Sequence, residues 1–238
     1  MTVTPRRPVA LVTGATGGMG RCIVADLATT HDVVALGRKA EVLDELNQLK
    51  GVVAHAVDIT DDSALAGMVA TLGSLDVLLH VAAISVPHTV ADATPGQWRE
   101  HFETNVFAPA ELTRLALPLL RESGGSVIFI GSGASTKPAP GNAVYTASKH
   151  ALQGLADTLR IDEATTGVRV STIAPGPTDS GMLRAMQAKM GDGYDADHYI
   201  RPATVAAAVR YVVDAPQDAQ LTDVAVRPRI ELALRQDG

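Results

Sequence analysis

The stretch LVTGATGGMG, residues 11–20, carries four glycines, and they can be read in two registers. One takes Gly14, Gly18 and Gly20; the other takes Gly14, Gly17 and Gly20. The segment before them, PVALVT, reads as a strand, and residues 18–30 read as a helix. Glycines between a strand and a helix permit a tight turn. They also let the backbone and the helix N-terminus approach a pyrophosphate, whose charge suits the helix dipole. A glycine turn alone serves helix–sheet packing equally well; the strand before it and the helix after it favour a dinucleotide site.

Working outward, the same alternation continues along the chain. DVVALG reads as a strand, and residues 39–49 as a helix with Val42, Leu43, Leu46 and Leu49 on one face. GVVAHAV is followed by a helical stretch over 61–72, LDVLLHVAA by one from about 95 to 121, and GSVIFIG by one from about 142 to 165. VRVSTIAPG closes the run. Apolar runs without polar alternation are what strands need when helices cover both faces of a parallel sheet, so a doubly wound α/β sheet is expected. Residues 176–201 break the rhythm with Gly, Asp, Tyr and Met, and read as a mobile lid over about 178–201. A helix started by Pro202 and stopped near Pro216 follows, and then a last strand, LTDVAVRP.

Composition narrows the function classes. At 238 residues the chain suits one large domain, 1–238, and its 46% hydrophobic and 19% charged content is ordinary for a globular enzyme. A net charge of -6 argues against a nucleic-acid partner, and no apolar run is long enough for a membrane span. The single cysteine, Cys22, reads as a helix packing residue and agrees with a reducing compartment. The first residues show no apolar signal-peptide core, so a cytoplasmic location is expected. No metal constellation is visible.

Two further features carry chemistry. Where the second strand ends, an acidic residue would bind ribose hydroxyls of NAD; here Gly37 stands there, followed by Arg38 and Lys39. The missing carboxylate removes repulsion, and Arg38 offers a planar fork to a 2′-phosphate, so NADP(H) is favoured over NAD(H). Asp58, after the third strand, suits either an adenine amino group or a helix N-cap. In YTASK, Tyr145 and Lys149 lie on one helix face, and a nearby ammonium lowers the proton affinity of a phenol toward neutrality. Ser132 ends a strand where ligand crevices open, and its hydroxyl suits a substrate oxygen. Asn105, within the long helix, suits a water linked to Lys149 in a proton relay.

Together these residues resemble the short-chain dehydrogenase/reductase family in its classical branch, over nearly the whole chain. The family's Thr-Gly-x-x-x-Gly-x-Gly is met by Thr13, Gly14, Gly18 and Gly20; its serine lies thirteen positions before the tyrosine, met by Ser132 and Tyr145. Lys149, Asn105 and the Pro175-Gly176 pair complete the pattern. The register question is thereby answered: the alternative spacing belongs to nucleotide-sugar epimerases with a substantial C-terminal substrate domain, for which too little chain remains. The resemblance implies a single-domain Rossmann fold and reversible hydride transfer between NADP(H) and a small secondary alcohol/ketone pair. It implies a Ser132, Tyr145, Lys149 and Asn105 tetrad. Cofactor contacts are implied from Gly14, Thr16, Gly17, Gly18, Met19, Gly20, Arg38, Asp58, Ile59, Val81, Ala82, Tyr145, Lys149, Pro175, Gly176 and Thr178. A homodimer or homotetramer is implied, with residues 95–121 and 142–165 as interface helices.

The chain departs from the family at His80-Val81-Ala82-Ala83, where relatives carry Asn-Asn-Ala-Gly. His80 is read as a satisfied core histidine rather than a base. Ser180 stands for the usual threonine after Pro175-Gly176. The last strand has a short likeness to 3-hydroxy acid and serine dehydrogenases. Candidate lid walls are Met182, Leu183, Met186, Met190, Tyr194 and Tyr199; no arginine cluster for an acidic substrate is evident, with Lys137 and Arg184 as single candidates. The rival readings are a non-catalytic NADP(H) sensor or scaffold, and a same-fold reductase of acyl-thioester, polyketide or sugar substrates.

Overall fold

The structure, a computed structural model, describes residues 6–190 and 194–230, with the side chains of Met186, Lys189 and Met190 outside the described set. Seven parallel strands form one sheet: β1 (Val9–Val12), β2 (Asp32–Gly37), β3 (Val52–Ala56), β4 (Val77–His80), β5 (Ser126–Ile130), β6 (Arg169–Pro175) and β7 (Asp223–Val226), in the order β3-β2-β1-β4-β5-β6-β7. The helices are α1 (Gly18–Leu27), α2 (Ala40–Leu46), α3 (Asp62–Ala70), α4 (Pro95–Phe102), α5 (Ala108–Ser123), α6 (Ala143–Asp162), α7 (Gly181–Met190) and α8 (Pro202–Val213).

Alternate strand residues bury on opposite faces, as the two-residue side-chain period requires. Ala10, Val12, Val33, Ala35, Leu79 and Ile128 pack against Ile23, Val24 and Leu27 of α1 and Val209 and Val212 of α8. Leu11, Leu36, Leu78, Val127 and Phe129 pack against Leu65 of α3, Leu112, Ala116 and Leu120 of α5, and Leu152 of α6. Two helix layers therefore sandwich the sheet, as the uninterrupted apolar runs predicted. Cys22 lies partly buried against the first layer. Leu49 departs from expectation: α2 ends at Leu46, so Leu49 leaves the helix face and is exposed.

The long helix expected over 95–121 is interrupted. Thr94 caps α4 with a reciprocal bond to Gln97, and Pro95 opens the first turn, where no backbone N–H is needed. Residues Glu103–Phe107 then form a π turn before α5 resumes.

His80 is buried at the C-terminal end of β4, its ring stacked on Phe129 at 4.8 Å. Its Nε2 lies 2.9 Å from Thr113 Oγ1, and the Thr113 hydroxyl donates to Pro109 O at 2.7 Å. Thr113 therefore accepts, and Nε2 carries the hydrogen. Burial lowers the imidazole to about 3 from an ordinary 6.5. Below 6.5 the unfolded chain binds a proton here that the folded one refuses, so this contribution is full above 6.5 and fades as pH falls toward 3. Exchanging His80→Asn should flatten the dependence of the urea midpoint on pH between 6.5 and about 5, above the range where carboxylates titrate. An unchanged slope would contradict this account of His80.

Candidate active site

The site grows from the turn after β1. Gly14 takes φ +65, and a Cβ there would lie 2.6 Å from Ala82 N, so only glycine lets this turn close on the chain leaving β4. Beyond it, Gly17 stands at the N-cap of α1 and offers no side-chain cap, so the first N–H groups of the helix have no side-chain acceptor there. A crevice of about 500 Å³ lies in front of them. Gly14, Thr16, Gly17, Gly18, Met19, Gly20, Arg38, Asp58, Ile59, Val81 and Ala82 all border it, so the structure gathers these eleven sequence-predicted residues. The donors suit a pyrophosphate.

The end of β2 is shaped by contact as well as charge. A Cβ on Gly37 would collide with the Thr16 side chain, so an acidic residue there has no room unless Thr16 moves. Arg38 is largely exposed at the crevice mouth, 3.9 Å from Asp58 Oδ2. The other Asp58 oxygen accepts from Thr60 N (3.0 Å) and Thr60 Oγ1 (2.8 Å), and these bonds hold the carboxyl below its usual range. The α3 cap is Asp61, which leaves Asp58 facing the crevice.

Ser132, Tyr145 and Lys149 meet at the C-terminal end of β5. Ser132 follows that strand, its N–H bonded to Ser135 Oγ (3.1 Å) and its Oγ accepting from Ala134 N (3.1 Å), which orients the hydroxyl. Burial pushes the Tyr145 phenol up, while a bond with Ser132 opposes the shift. Lys149 is buried; its Nζ donates to Ile130 O at 2.9 Å and stands 5.8 Å from the Tyr145 ring centre. Loss of water lowers the ammonium from 10.5 to about 8.

The Asn105 amide is bonded to protein groups: Oδ1 accepts from Ile84 N (2.9 Å), and Nδ2 donates to Ile84 O (3.0 Å) and Ser148 Oγ (3.0 Å). Ser148 Oγ donates in turn to Tyr145 O at 2.8 Å. The side chain is filled by the chain leaving β4 and by α6, and the π turn around it brings it within reach of both. Asn105 thus ties the chain leaving β4 to the Tyr145 helix.

The chain matches the family profile described as short chain dehydrogenase over residues 8–191. The protein belongs to that family. An uncharacterised oxidoreductase of Mycobacterium tuberculosis is 34% identical over 235 residues, covering 96% of this chain and 94% of its own. A serine dehydrogenase solved with NADP+ superposes with a TM-score of 0.84 at 27% identity, 97% of each chain covered. A short chain dehydrogenase of Mycobacterium paratuberculosis solved with NAD superposes at 0.81 and 26%, covering 93% and 96%. This short-chain dehydrogenase is thus an oxidoreductase with a nicotinamide-binding fold.

Other expected residues take different places in this family member. Pro175, Gly176 and Thr178 do not border the crevice, and the buried Thr178 hydroxyl donates back to Gly176 O at 2.9 Å. Ser180 and Met182 do border it, with Ser180 Oγ accepting from Leu183 N. In the segment expected as a lid, Tyr194 and Tyr199 are not simple apolar walls: their rings lie 5.0 Å apart, and the Tyr194 hydroxyl donates to Asp179. Asp179 also accepts from Arg184 Nε (2.9 Å), which occupies that candidate cation. Met186 and Met190 lie among the side chains outside the described set.

Sequence reasoning missed His101. Fully buried, it donates from Nδ1 to Gln97 O (2.8 Å) and accepts at Nε2 from Val86 N (3.2 Å), so it holds the loop beyond Ile84. It has no local motif. No helix among the described residues is long and apolar enough to cross a membrane. Replacing Asn105→Ala orphans the Ile84 N–H and C=O, and should lower stability by about 1–3 kcal/mol in urea unfolding. A variant as stable as the parent would remove Asn105 from this role.

Proposed function

We propose that this protein is an NADP(H)-dependent oxidoreductase that interconverts a small secondary alcohol and a ketone. The observation that carries the reading is the convergence of Ser132, Tyr145 and buried Lys149 at the end of β5, in the same sheet whose β1–β4 crevice bears Arg38 at its mouth. A sensor or scaffold has no use for an oriented serine, a phenol and a dehydrated ammonium in one place.

The crevice residues fit a phosphorylated nicotinamide cofactor. The α1 N-terminus and Gly17–Gly18 backbone suit the diphosphate, Asp58 and Ile59 flank the adenine side, and Arg38 suits a 2′-phosphate beside Gly37, where Thr16 fills the space of a ribose-binding acid. The serine dehydrogenase neighbour solved with NADP+ supports the choice. When bound, the cofactor supplies or receives the hydride.

The chain's residues handle the oxygen and its proton. In reduction, Ser132 Oγ–H donates to the carbonyl oxygen and fixes its direction, and Tyr145 O–H gives that oxygen its proton. The Lys149 ammonium stabilises the phenolate left behind, against the dehydration that pushes the phenol up. In oxidation the same phenolate takes the proton. Asn105, through Ser148, keeps Tyr145 aligned. The acid–base step predicts that Tyr145→Phe lowers ketone-dependent NADPH oxidation by about 10²–10⁴-fold while NADPH titration by fluorescence is unchanged. Undiminished turnover would refute the assignment. Arg38→Ala should weaken NADPH binding by about 10–100-fold and leave NADH binding alone; equal loss for both would place Arg38 elsewhere than at a 2′-phosphate.

A further inference from the structure

Ser132 is held at its N–H, its C=O and its hydroxyl, and one buried side chain closes that hold. Shortly after β5 the chain makes a single 3₁₀ turn, Gly133–Ser135. The Ser132 N–H donates to Ser135 Oγ (3.1 Å), the Ser132 C=O accepts from Ser135 N (2.9 Å), and Ser132 Oγ accepts from Ala134 N (3.1 Å). Two of these three contacts belong to Ser135. The reciprocal pattern is that of a capping box, with serine in place of the usual glutamate or glutamine.

The neighbouring backbone makes room for this contact. Ser135 is 4% exposed, and a Cβ built on Gly131 would lie 3.2 Å from its Oγ and 2.9 Å from Thr172 Cγ2. Gly131 thus leaves free the space in which Ser135 Oγ meets Ser132 N, while Gly131 N donates to Ile173 O of β6 (2.8 Å). The consequence lies at the Ser132 hydroxyl. A serine oxygen has two acceptor sites and one proton. Ala134 N–H takes one acceptor site, so the proton stays available to the reaction, and a bond accepted by the oxygen strengthens the hydroxyl as a donor. The bond between Ser132 and Tyr145 favours the phenolate, as a hydroxyl donating to the phenol oxygen does.

We infer that Ser135 is a positioning residue of the reaction: by anchoring the Ser132 backbone it keeps the Ser132 hydroxyl in the direction that serves the Tyr145 oxygen and the substrate carbonyl. This rests on the reading of the site as a ketone reductase. No bond of the reaction is made or broken at Ser135, which acts through Ser132. Without it the Ser132 N–H loses its acceptor, the turn loosens, and the hydroxyl is free to turn among its staggered rotamers. A hydroxyl already in its productive direction needs no binding energy for ordering, so the effect falls on kcat.

The test compares the full chain with S135A, S135C, S132A and the combined S132A and S135A variant in NADPH-dependent reduction of cyclohexanone, ethyl acetoacetate and pyruvate, with Tyr145→Phe as control. Cysteine has nearly the shape of serine but its sulfur is a weak acceptor, so S135C separates the hydrogen bond from the packing. With the ketone the parent reduces fastest, S135A and S135C should each lower kcat by about 10–100-fold, while KM and NADPH affinity by fluorescence change less than about threefold. In the S132A background the Ser135→Ala exchange should lower kcat less than about twofold, because a residue acting through Ser132 has nothing left to position. A serine that only supports the fold would lower both backgrounds alike. Thermal melting checks that each variant folds, and S135C carries the comparison should S135A not fold. Parent-like kcat in S135A and S135C overturns the inference and leaves the reductase reading standing. A loss of equal size with and without Ser132, or one carried by KM alone, also overturns it. Absence of Tyr145-dependent reduction of every ketone overturns the reductase reading and this inference with it.

Discussion

The close approach of β1 and β4 is the constraint on which the site hangs. Strands β2 and β3 continue to one side of this seam and β5 to β7 to the other, so the connecting chains diverge above it and a crevice opens. At its top the Gly14 backbone meets the Ala82 backbone with no room for a side chain, and Thr13 Oγ1 accepts from Val81 N (3.1 Å) and Ala82 N (3.3 Å). From Ala82 the chain runs to Ile84, which Asn105 grips at both N–H and C=O, and Asn105 in turn holds Ser148. The seam is thus joined by consecutive polar contacts to the helix that carries Tyr145.

Dehydration governs the electrostatics on the other side of that path. Burial raises the Tyr145 phenol and brings the Lys149 ammonium down to about 8, because either charged form loses water that the protein replaces sparingly. For Lys149 the replacement is Ile130 O, the last carbonyl of β5. Burial thus moves the two groups apart in proton affinity, each toward its uncharged form. His80 obeys the same physics to a different end: burial keeps it neutral, and it packs the core stacked on Phe129 with Nε2 bonded to Thr113.

Much of this was legible in the sequence where the signal is local. The apolar runs announced a sheet covered on both faces, and the glycine spacing, the Tyr145–Lys149 interval and Pro202 placed the crevice turn and two helices within a few residues of where they stand. Less legible were features set by contacts between distant segments. The π turn at Glu103–Phe107 has no glycine or proline to announce it, and it exists where Asn105 meets Ile84 and Ser148. Tyr194 and Tyr199 read as apolar walls because their aromatic bodies dominate a sequence reading, yet their hydroxyls meet Asp179 and Gln187.

The sequence by itself determined the element order, the parallel sheet, the glycine turn and the residue types available for proton transfer, since periodicity and short spacing act within one strand or one helix turn. Tertiary structure alone decided what those residues face: that the Asn105 amide meets Ile84 and Ser148, and that Thr178 turns back on Gly176. The reason is physical. Each of those contacts joins residues brought together by crossovers through the sheet, or settles which of several nearby groups a side chain meets, and no local periodicity encodes either outcome.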